Sequence, residues 1–295
     1  MNATASSVRV RSAVHRGFRL AILVFCAALT SSCLVVTPFG SEPEERALNA
    51  RNLERLERHG DTGGDTLTFA ALGDTHAEYD DLSRTVRAIN GGPDLALVAH
   101  AGDMTDFGLL QEYEWSHRTL AKLKAPLFTA IGNHDAISDG ATIYRKMYGP
   151  FDYGFEHASV AFVFFNSNSL EFPGSAPDQR WLRKAVLESD ARGGVVLITH
   201  HAPWTHESPL SARRLHADLL ASGKVRLWVH GHLAKFQLVT YHGVPILQCG
   251  TFQHWREHML VTLRESETTF QRCHYQRCEP VVPERDVTHE RQGAL

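Results

Sequence analysis

Five short apolar runs of this 295-residue chain each end in a cluster of residue types that bind metal ions. The first run, residues 66–72, leads through Gly73 into Asp74 and His76, which offer a hard carboxylate oxygen and an imidazole nitrogen. One Asp-x-His pair is weak evidence, because loop aspartates commonly bond their own backbone. Such turn chemistry accounts for one or two clusters but not for five in order. The sequence therefore predicts one composite metal site, whose other clusters are Gly102-Asp103-Met104-Thr105-Asp106, Gly132-Asn133-His134-Asp135, His200-His201-Ala202-Pro203 and His230-Gly231-His232.

The segments around these clusters predict alternating strands and helices. The apolar runs are bounded by glycine and polar turn residues, which is typical of short buried strands. Helices are predicted between them, near residues 78–90, 109–123, 140–148, 178–191 and 210–221. This alternation indicates α/β organisation, in which ligands collect at strand ends. Further strands are predicted at residues 153–157, 160–166, 236–241, 244–248, 258–264 and 268–275.

The clusters resemble the sequence pattern of the calcineurin-like metallophosphoesterases, which include purple acid phosphatases and class III cyclic nucleotide phosphodiesterases. That pattern is Asp-x-His, Gly-Asp-x-x-Asp, Gly-Asn-His-Asp/Glu, a later His at a strand end, and Gly-His-x-His. The first four blocks match, and the similarity spans about residues 66–265. In the fifth block His232 is present, but Ala234 stands where the family has its last metal-binding histidine. The resemblance implies a four-layer α/β/β/α fold, closer to the phosphatase and cyclic phosphodiesterase branches than to the nuclease branch.

The resemblance also implies two divalent metal ions, of Mn, Fe or Zn, and a small-molecule phosphate mono- or diester as substrate. Two cations neutralise the charge that repels a nucleophile and acidify a bound water, so hydrolysis by metal-bound hydroxide is expected. His134, paired with Asp135, is expected to face the phosphoryl group and to stabilise charge there or on the leaving oxygen. The implied ligands are Asp74 and His76 for the first ion, Asp103 bridging both ions, and Asn133, His200 and His232 for the second.

Several neighbouring side chains have alternative interpretations. His201 directly follows His200, but alternation along a strand puts the two on opposite sides, which favours His200 as the ligand. Asp106 matches a family position that binds metal only when it is tyrosine, so a structural role is expected. Other histidines near the clusters are expected to face water or to satisfy core hydrogen bonds, namely His100, His230 and His254.

Ala234 leaves the first metal ion with three protein ligands, which can still hold a catalytic metal with a water position open. Three outcomes are considered: a weakened first site that works at high metal concentration, replacement of the missing ligand by His230 or His254, or a degenerate protein with one ion. The third outcome defines the alternative function, a membrane-anchored binding lipoprotein that keeps the fold without turnover.

Residues 1–32 have the three parts of an export signal. They contain four arginines and no acidic residue, an apolar stretch at residues 20–29, and three small residues immediately before Cys33. This resembles a bacterial lipoprotein signal and predicts lipidation of Cys33 in an exported, membrane-anchored protein facing the periplasm or cell surface. An uncleaved anchor is the alternative, because residues 20–39 carry no charge and are long enough to span a bilayer.

The charge of the remaining chain argues against a nucleic-acid partner. The formal net charge is −3, and without the four arginines of residues 1–32 it becomes −7, whereas non-specific nucleic-acid binding requires a basic surface. A composition of 43% hydrophobic and 21% charged residues suits one large globular domain. The predicted organisation is an export segment at 1–32, a helical spacer and linker at 33–65, the metallophosphoesterase domain at 66–278 and a polar tail at 279–295.

Two local features complete the predictions. Ser41 and Glu44 form a capping-box pattern, which predicts a helix that runs to about Arg58 as a solvated spacer. Cys273 and Cys278 lie close together and are expected to form a disulfide in an oxidising compartment.

Overall fold

The predicted strands form two six-stranded sheets in the computed structural model, which describes residues 40–59, 66–265 and 267–292. The strands are β1 (Thr66–Leu72), β2 (Leu97–His100), β3 (Leu127–Thr129), β4 (Tyr153–His157), β5 (Val160–Phe164), β6 (Val195–Ile198), β7 (Val225–His230), β8 (Gln237–Tyr241), β9 (Val244–Gln248), β10 (Glu257–Arg264), β11 (Thr268–His274) and β12 (Arg277–Val281). The helices are α1 (Leu48–His59), α2 (Tyr79–Asn90), α3 (Leu110–Leu120), α4 (Gly140–Met147), α5 (Gln179–Leu187), α6 (Leu210–Ala221) and α7 (Thr288–Gln292).

Each sheet contains a parallel set of strands that end at one edge. The first sheet has the order β12-β11-β10-β1-β2-β3, with β1, β2 and β3 parallel. The second has the order β4-β5-β6-β7-β9-β8, with β5, β6, β7 and β9 parallel. Leu72 pairs with His100, and His100 with Thr129, so the three strand ends of the first sheet lie side by side. The five predicted clusters follow β1, β2, β3, β6 and β7, so the fold brings them to these edges.

Alternate residues of the central strands belong to different cores, which confirms the predicted four-layer α/β/β/α fold. In β1, Phe69 and Ala71 pack between the two sheets, whereas Ala70 and Leu72 pack under helices α2, α3 and α4. A third core joins the outer face of the second sheet to α5 and α6 and contains the fully buried Trp228. Full burial of a large apolar side chain contributes about 1.5–3 kcal/mol. The three cores therefore fix the two sheets that carry the loops at their edges.

The segment before β1 differs from the predicted solvated spacer. Helix α1 begins at Leu48, not after Ser41, because the preceding chain is held by backbone bonds in which the N–H groups of Ala47 and Asn49 donate to the carbonyls of Lys146 and Tyr148. Leu48 is 5% exposed and packs in the core under the helices. Helix α1 is thus docked on the domain through apolar contacts that its sparse apolar positions did not reveal.

The polar tail predicted from residue 279 also differs from the structure. Strand β12 continues to Val281 and pairs with β11, and the Val287 side chain is buried in the core beside α5 and α6. Cys273 lies opposite Cys278 in this pairing, and the two form the expected disulfide. Packing against an existing sheet edge outweighs the polar composition of this segment.

The predicted export signal and Cys33 lie outside the described residues. In the ranges that the structure describes, every helix is too short or too polar to cross a bilayer.

Candidate metal centre

The turns after β1, β2 and β7 hold four predicted ligands with a positive φ. The φ angle is 50° at Asp74, 45° at His76, 57° at Asp103 and 72° at His232. A positive φ angle costs a non-glycine residue about 1–3 kcal/mol. This conformation is typical of functional sites, where the surrounding structure enforces it. Backbone bonds enforce it here: Asp74 N–H donates to Gly102 O at 2.9 Å, and His76 N–H donates to Asp103 O at 3.0 Å.

Two glycines let neighbouring turns approach the carboxylates. A Cβ atom on Gly231 would lie 2.3 Å from Asp74 Oδ2, and one on Gly132 would lie 2.1 Å from Asp103 Oδ1. Any side chain at either position would displace a predicted ligand. The glycines in the third and fifth clusters are therefore steric requirements of the site.

Asp74, His76 and Asp103 form the first group of candidate ligands. All three are buried, and one ligand atom of each lies within 4.8 Å of the others. His76 Nε2 lies 3.9 Å from Asp103 Oδ2. Its other ring nitrogen, Nδ1, lies 2.9 Å from Asp106 Oδ1 but outside hydrogen-bonding direction. Asp106 thus contacts the imidazole nitrogen remote from Asp103, which agrees with the structural role expected for it.

Asn133, His200 and His232 form a second group beside Asp103. His200 Nε2 lies 2.9 Å from Asn133 Oδ1, 3.3 Å from His232 Nδ1 and 3.2 Å from Asp103 Oδ2. His232 Nδ1 lies 3.2 Å from Asn133 Oδ1. Tetrahedral ligands with bonds of about 2.0–2.1 Å are separated by about 3.3 Å, so the three mutually adjacent atoms of Asn133, His200 and His232 fit one metal ion, with Asp103 Oδ2 next to His200.

The imidazole of His200 is oriented by a backbone carbonyl. His200 Nδ1 lies 2.9 Å from Ala101 O, and because a carbonyl only accepts, Nδ1 carries a proton. This leaves Nε2 as the ligand nitrogen, which faces Asn133 and Asp103. His200 therefore has both the tautomer and the direction that metal binding requires.

The charges at the site also suit a cation. Within the described residues, Asp103 forms ion-pair contacts with His76 and His200 only. Burial, together with the neighbouring Asp103 carboxylate, raises the pKa of Asp74 well above its usual range. Against the cost of burial, Asp103 raises the pKa of His200 to about 10, so without a metal ion a second proton on Nε2 supplies positive charge to the carboxylates, and a cation bound at Nε2 would displace that proton. A divalent cation would relieve the same excess of negative charge, so the residues fit a metal site.

The predicted pairing of His134 with Asp135 is wrong. The Asp135 carboxylate accepts the backbone N–H groups of Gly132, Asp103, Met104 and Thr105 and the Thr105 hydroxyl, at 2.8–3.0 Å. Both of its oxygens are thereby occupied, and the residue is fully buried. His134 Nδ1 instead lies 2.8 Å from the carbonyl of Asp106. Adjacent residues of the short 3₁₀ turn point in different directions, so Asp135 organises the loops while His134 remains beside His76, with ring centroids 5.0 Å apart.

Two other histidines have the core roles expected for them. His100 is buried, and its ring nitrogens contact Thr75 Oγ1 at 3.1 Å and the N–H of Gly102 at 3.2 Å. His230 is buried, with Nδ1 at 2.9 Å from Gly231 O. His254 is exposed. In the described part of the chain, neither His230 nor His254 joins the group of Asp74, His76 and Asp103, so the structure gives no support to either as a replacement ligand.

His201 and Glu207 belong to the site in a way that the sequence did not indicate. Strand β6 ends at Ile198, so alternation does not extend to His200 and His201, and both rings adjoin His232, with centroids 5.1 and 4.2 Å away. The Glu207 carboxylate lies between His201 and His232. Glu207 is not part of any of the five sequence clusters. The one signal that could have identified it is an acidic residue in the loop after the paired histidines His200 and His201.

Comparisons with known proteins agree with this fold. Residues 67–236 match the family model of the calcineurin-like phosphoesterases. A dimetal phosphatase from Danio rerio has 12% identity and a TM-score of 0.60, covering 73% of this chain and 98% of that one. A purple acid phosphatase from yellow lupin seeds has 12% identity and a TM-score of 0.59, covering 75% of this chain and 54% of that one.

The fold is also similar to that of the anchor protein of the inner membrane complex of Plasmodium, with 12% identity, a TM-score of 0.57 and coverage of 74% of this chain and 87% of that one. No curated protein sequence matches the chain. At these identities the solved structures establish the fold, whereas the family model spans most of the sheet strands and all five clusters. The chain belongs to the calcineurin-like phosphoesterase family.

Proposed function

We propose that this protein hydrolyses a small phosphate mono- or diester at a two-metal centre formed by the two ligand groups. The observation that carries the proposal is the second group, in which ligand atoms of Asn133, His200 and His232 lie 2.9–3.3 Å from one another and Asp103 Oδ2 lies 3.2 Å from His200 Nε2. Asp103 also belongs to the first group, with Asp74 and His76, as a carboxylate that bridges two ions must.

The protein side chains have distinct tasks in this proposal. When bound, two divalent ions would neutralise the phosphoester and lower the pKa of water. Asn133 supplies a neutral oxygen, so the site keeps fewer negative charges opposing an anionic substrate. His134 keeps Nδ1–H on the Asp106 carbonyl, which makes Nε2 the atom at which it exchanges a proton. His134 therefore protonates the leaving oxygen or stabilises charge on the phosphoryl group.

Metal removal and restoration test this function. The purified protein should hydrolyse para-nitrophenyl phosphate, its bis-ester or both in Mn²⁺, lose turnover after dialysis against a chelator, and recover it when Mn²⁺ returns. Asn133→Ala should abolish the recovered activity. Absence of turnover with both esters at saturating Mn²⁺, or turnover that survives chelation, would contradict the proposal.

A second candidate is a binding protein without turnover, and Ala234 is the observation that favours it. The similar fold of the Plasmodium anchor protein shows that this architecture also occurs in a protein described as an anchor. Ala234 removes one imidazole from the family pattern, and the first group contains three residues of metal-binding type in the described chain.

Replacing Ala234 with histidine distinguishes a weakened metal site from a degenerate one. Ala234 is exposed, so an imidazole can be accommodated there. If the first site is merely weakened, Ala234→His should tighten binding of its ion by about tenfold or more and raise turnover at low Mn²⁺, because even supporting contacts contribute 10–100-fold to metal affinity. Leu233→His places the same imidazole one residue earlier and should change neither quantity. Unchanged affinity and turnover in Ala234→His would rule out the weakened site.

We also propose that the protein is exported and anchored by a lipid on Cys33. The supporting observation is the order of three parts in residues 1–32: a part with arginines, then an apolar stretch, then small residues directly before this cysteine. Expressed in bacteria with an alkyne fatty acid, the protein should be labelled, Cys33→Ser should lose the label, and Cys26→Ser should keep it. Equal labelling of the Cys33→Ser and Cys26→Ser variants, or no label on the parent protein, would contradict this anchor.

A further inference from the structure

Glu207 lies in the loop between β6 and α6 and touches two histidines at once. Its Oε2 is 2.9 Å from His201 Nε2, and its Oε1 is 3.1 Å from His232 Nε2. The side chain is 36% exposed and forms part of the wall of a cavity of about 490 Å³ between this loop and the segment at residues 169–179. One carboxylate therefore links an open pocket to a candidate metal ligand.

The position of the protons on His201 follows from its neighbours. The backbone N–H of His201 donates to Ser167 Oγ at 2.9 Å, and Ser167 Oγ is also 3.2 Å from His201 Nδ1. The Ser167 hydroxyl therefore has its hydrogen available for Nδ1, and the ring proton resides on Nε2. Because a carboxylate only accepts, Nε2–H donates to Glu207 Oε2, and every polar atom in the chain of bonds is satisfied.

The same reasoning applies to His232. Its Nε2 faces Glu207 Oε1, so Nε2 carries the proton that the carboxylate accepts. Its Nδ1, which faces Asn133 and His200 at 3.2 and 3.3 Å, then has the lone pair that a metal ion needs. One ligand atom of each of His201, Glu207 and His232 lies within 4.8 Å of the others, and these two hydrogen bonds to the carboxylate account for that proximity.

We propose that Glu207 is a positioning residue that fixes the tautomer and ring orientation of His232, with His201 and Ser167 holding the carboxylate in place. This inference rests on the proposed two-metal function. Carboxylates that accept the second ring N–H of a metal-bound histidine commonly raise metal affinity by 10–100-fold. Glu207 acts through His232 and contacts neither ion.

Metal affinity measured by competition with a chelating indicator tests the proposal. Glu207→Gln should raise the Kd for Mn²⁺ at the site that His232 serves by about 10–100-fold. The reason is that the glutamine amide presents N–H groups where an imidazole N–H needs an acceptor. The number of ions bound at saturating Mn²⁺ should stay the same as in the parent protein. Glu171→Gln makes the same chemical change on an exposed residue of the loop after β5 and should bind Mn²⁺ like the parent protein.

Rescue by a small carboxylate separates positioning from a general loss of structure. Glu207→Ala should also bind Mn²⁺ weakly, and acetate should partly restore its affinity and turnover where chloride at the same ionic strength does not. A Kd in Glu207→Gln within twofold of the parent protein would overturn the inference, as would loss of one ion at saturating Mn²⁺, which would make Glu207 a ligand. Failure of the parent protein to bind Mn²⁺ or to turn over would instead overturn the proposed function.

Discussion

Replacing Asp103 with asparagine should lower kcat/KM for an aryl phosphate by about 10³-fold or more. Asp103 Oδ2 is 3.2 Å from His200 Nε2 and 3.9 Å from His76 Nε2, so one carboxylate serves both ligand groups. An amide at this position removes a negative charge from both groups and presents N–H groups to the ligand nitrogens. A 10³-fold loss corresponds to about 4 kcal/mol of transition-state stabilisation.

The matched control for this substitution is Asp94→Asn, which neutralises an exposed aspartate just before β2. The control should retain the activity of the parent protein. Circular dichroism should show that Asp103→Asn is folded, because the backbone bonds of its turn persist. Turnover in folded Asp103→Asn within tenfold of the parent protein would show that the two ligand groups do not act through a shared carboxylate.

Asp135→Asn should destabilise the fold by about 3 kcal/mol or more, measured as a lower free energy of unfolding in urea. Asp135 is fully buried, and its Oδ2 accepts the N–H groups of Asp103 and Gly132. An amide nitrogen in place of this oxygen leaves two buried donors without an acceptor, each costing about 1–3 kcal/mol. Because the same bonds hold Asp103 in its left-handed conformation, metal affinity should fall together with stability.

Asp139→Asn is the matched control, since Asp139 is exposed and only four residues further along the chain. Its unfolding midpoint should equal that of the parent protein. If Asp135→Asn unfolded at the same urea concentration as Asp139→Asn, the five-donor arrangement around Asp135 would not support the loops, and a direct role beside His134 would need to be reconsidered.

Much of the site is predictable because strand ends fix where side chains meet. Asp74, Asp103 and Asn133 follow three adjacent parallel strands, and His200 and His232 follow two parallel strands of the facing sheet. Apolar periodicity locates such strands, and polar clusters after them then indicate a common edge. The described structure brings these residues into two groups, while their roles as ligands remain a prediction.

Other features depend on contacts that spacing does not encode. Glu207 reaches His232 across 25 residues of sequence. Asp135 turns away from its neighbour His134 because its carboxylate accepts three backbone N–H groups of the turn after β2 and one of its own turn. The docking of α1 depends similarly on a few buried contacts, such as Leu48 and Leu56, in an otherwise polar helix. Each case is decided by tertiary packing, which local patterns reveal only weakly.

Anomalous diffraction from crystals of the protein grown in Mn²⁺ tests the two-metal centre most directly. We predict two anomalous peaks on either side of Asp103, one beside Asp74 and His76 and the other among Asn133, His200 and His232. Two peaks would also show that the first site binds metal without a histidine at position 234. A single peak at the second group, or none at either group, would contradict the two-metal centre and favour the binding protein.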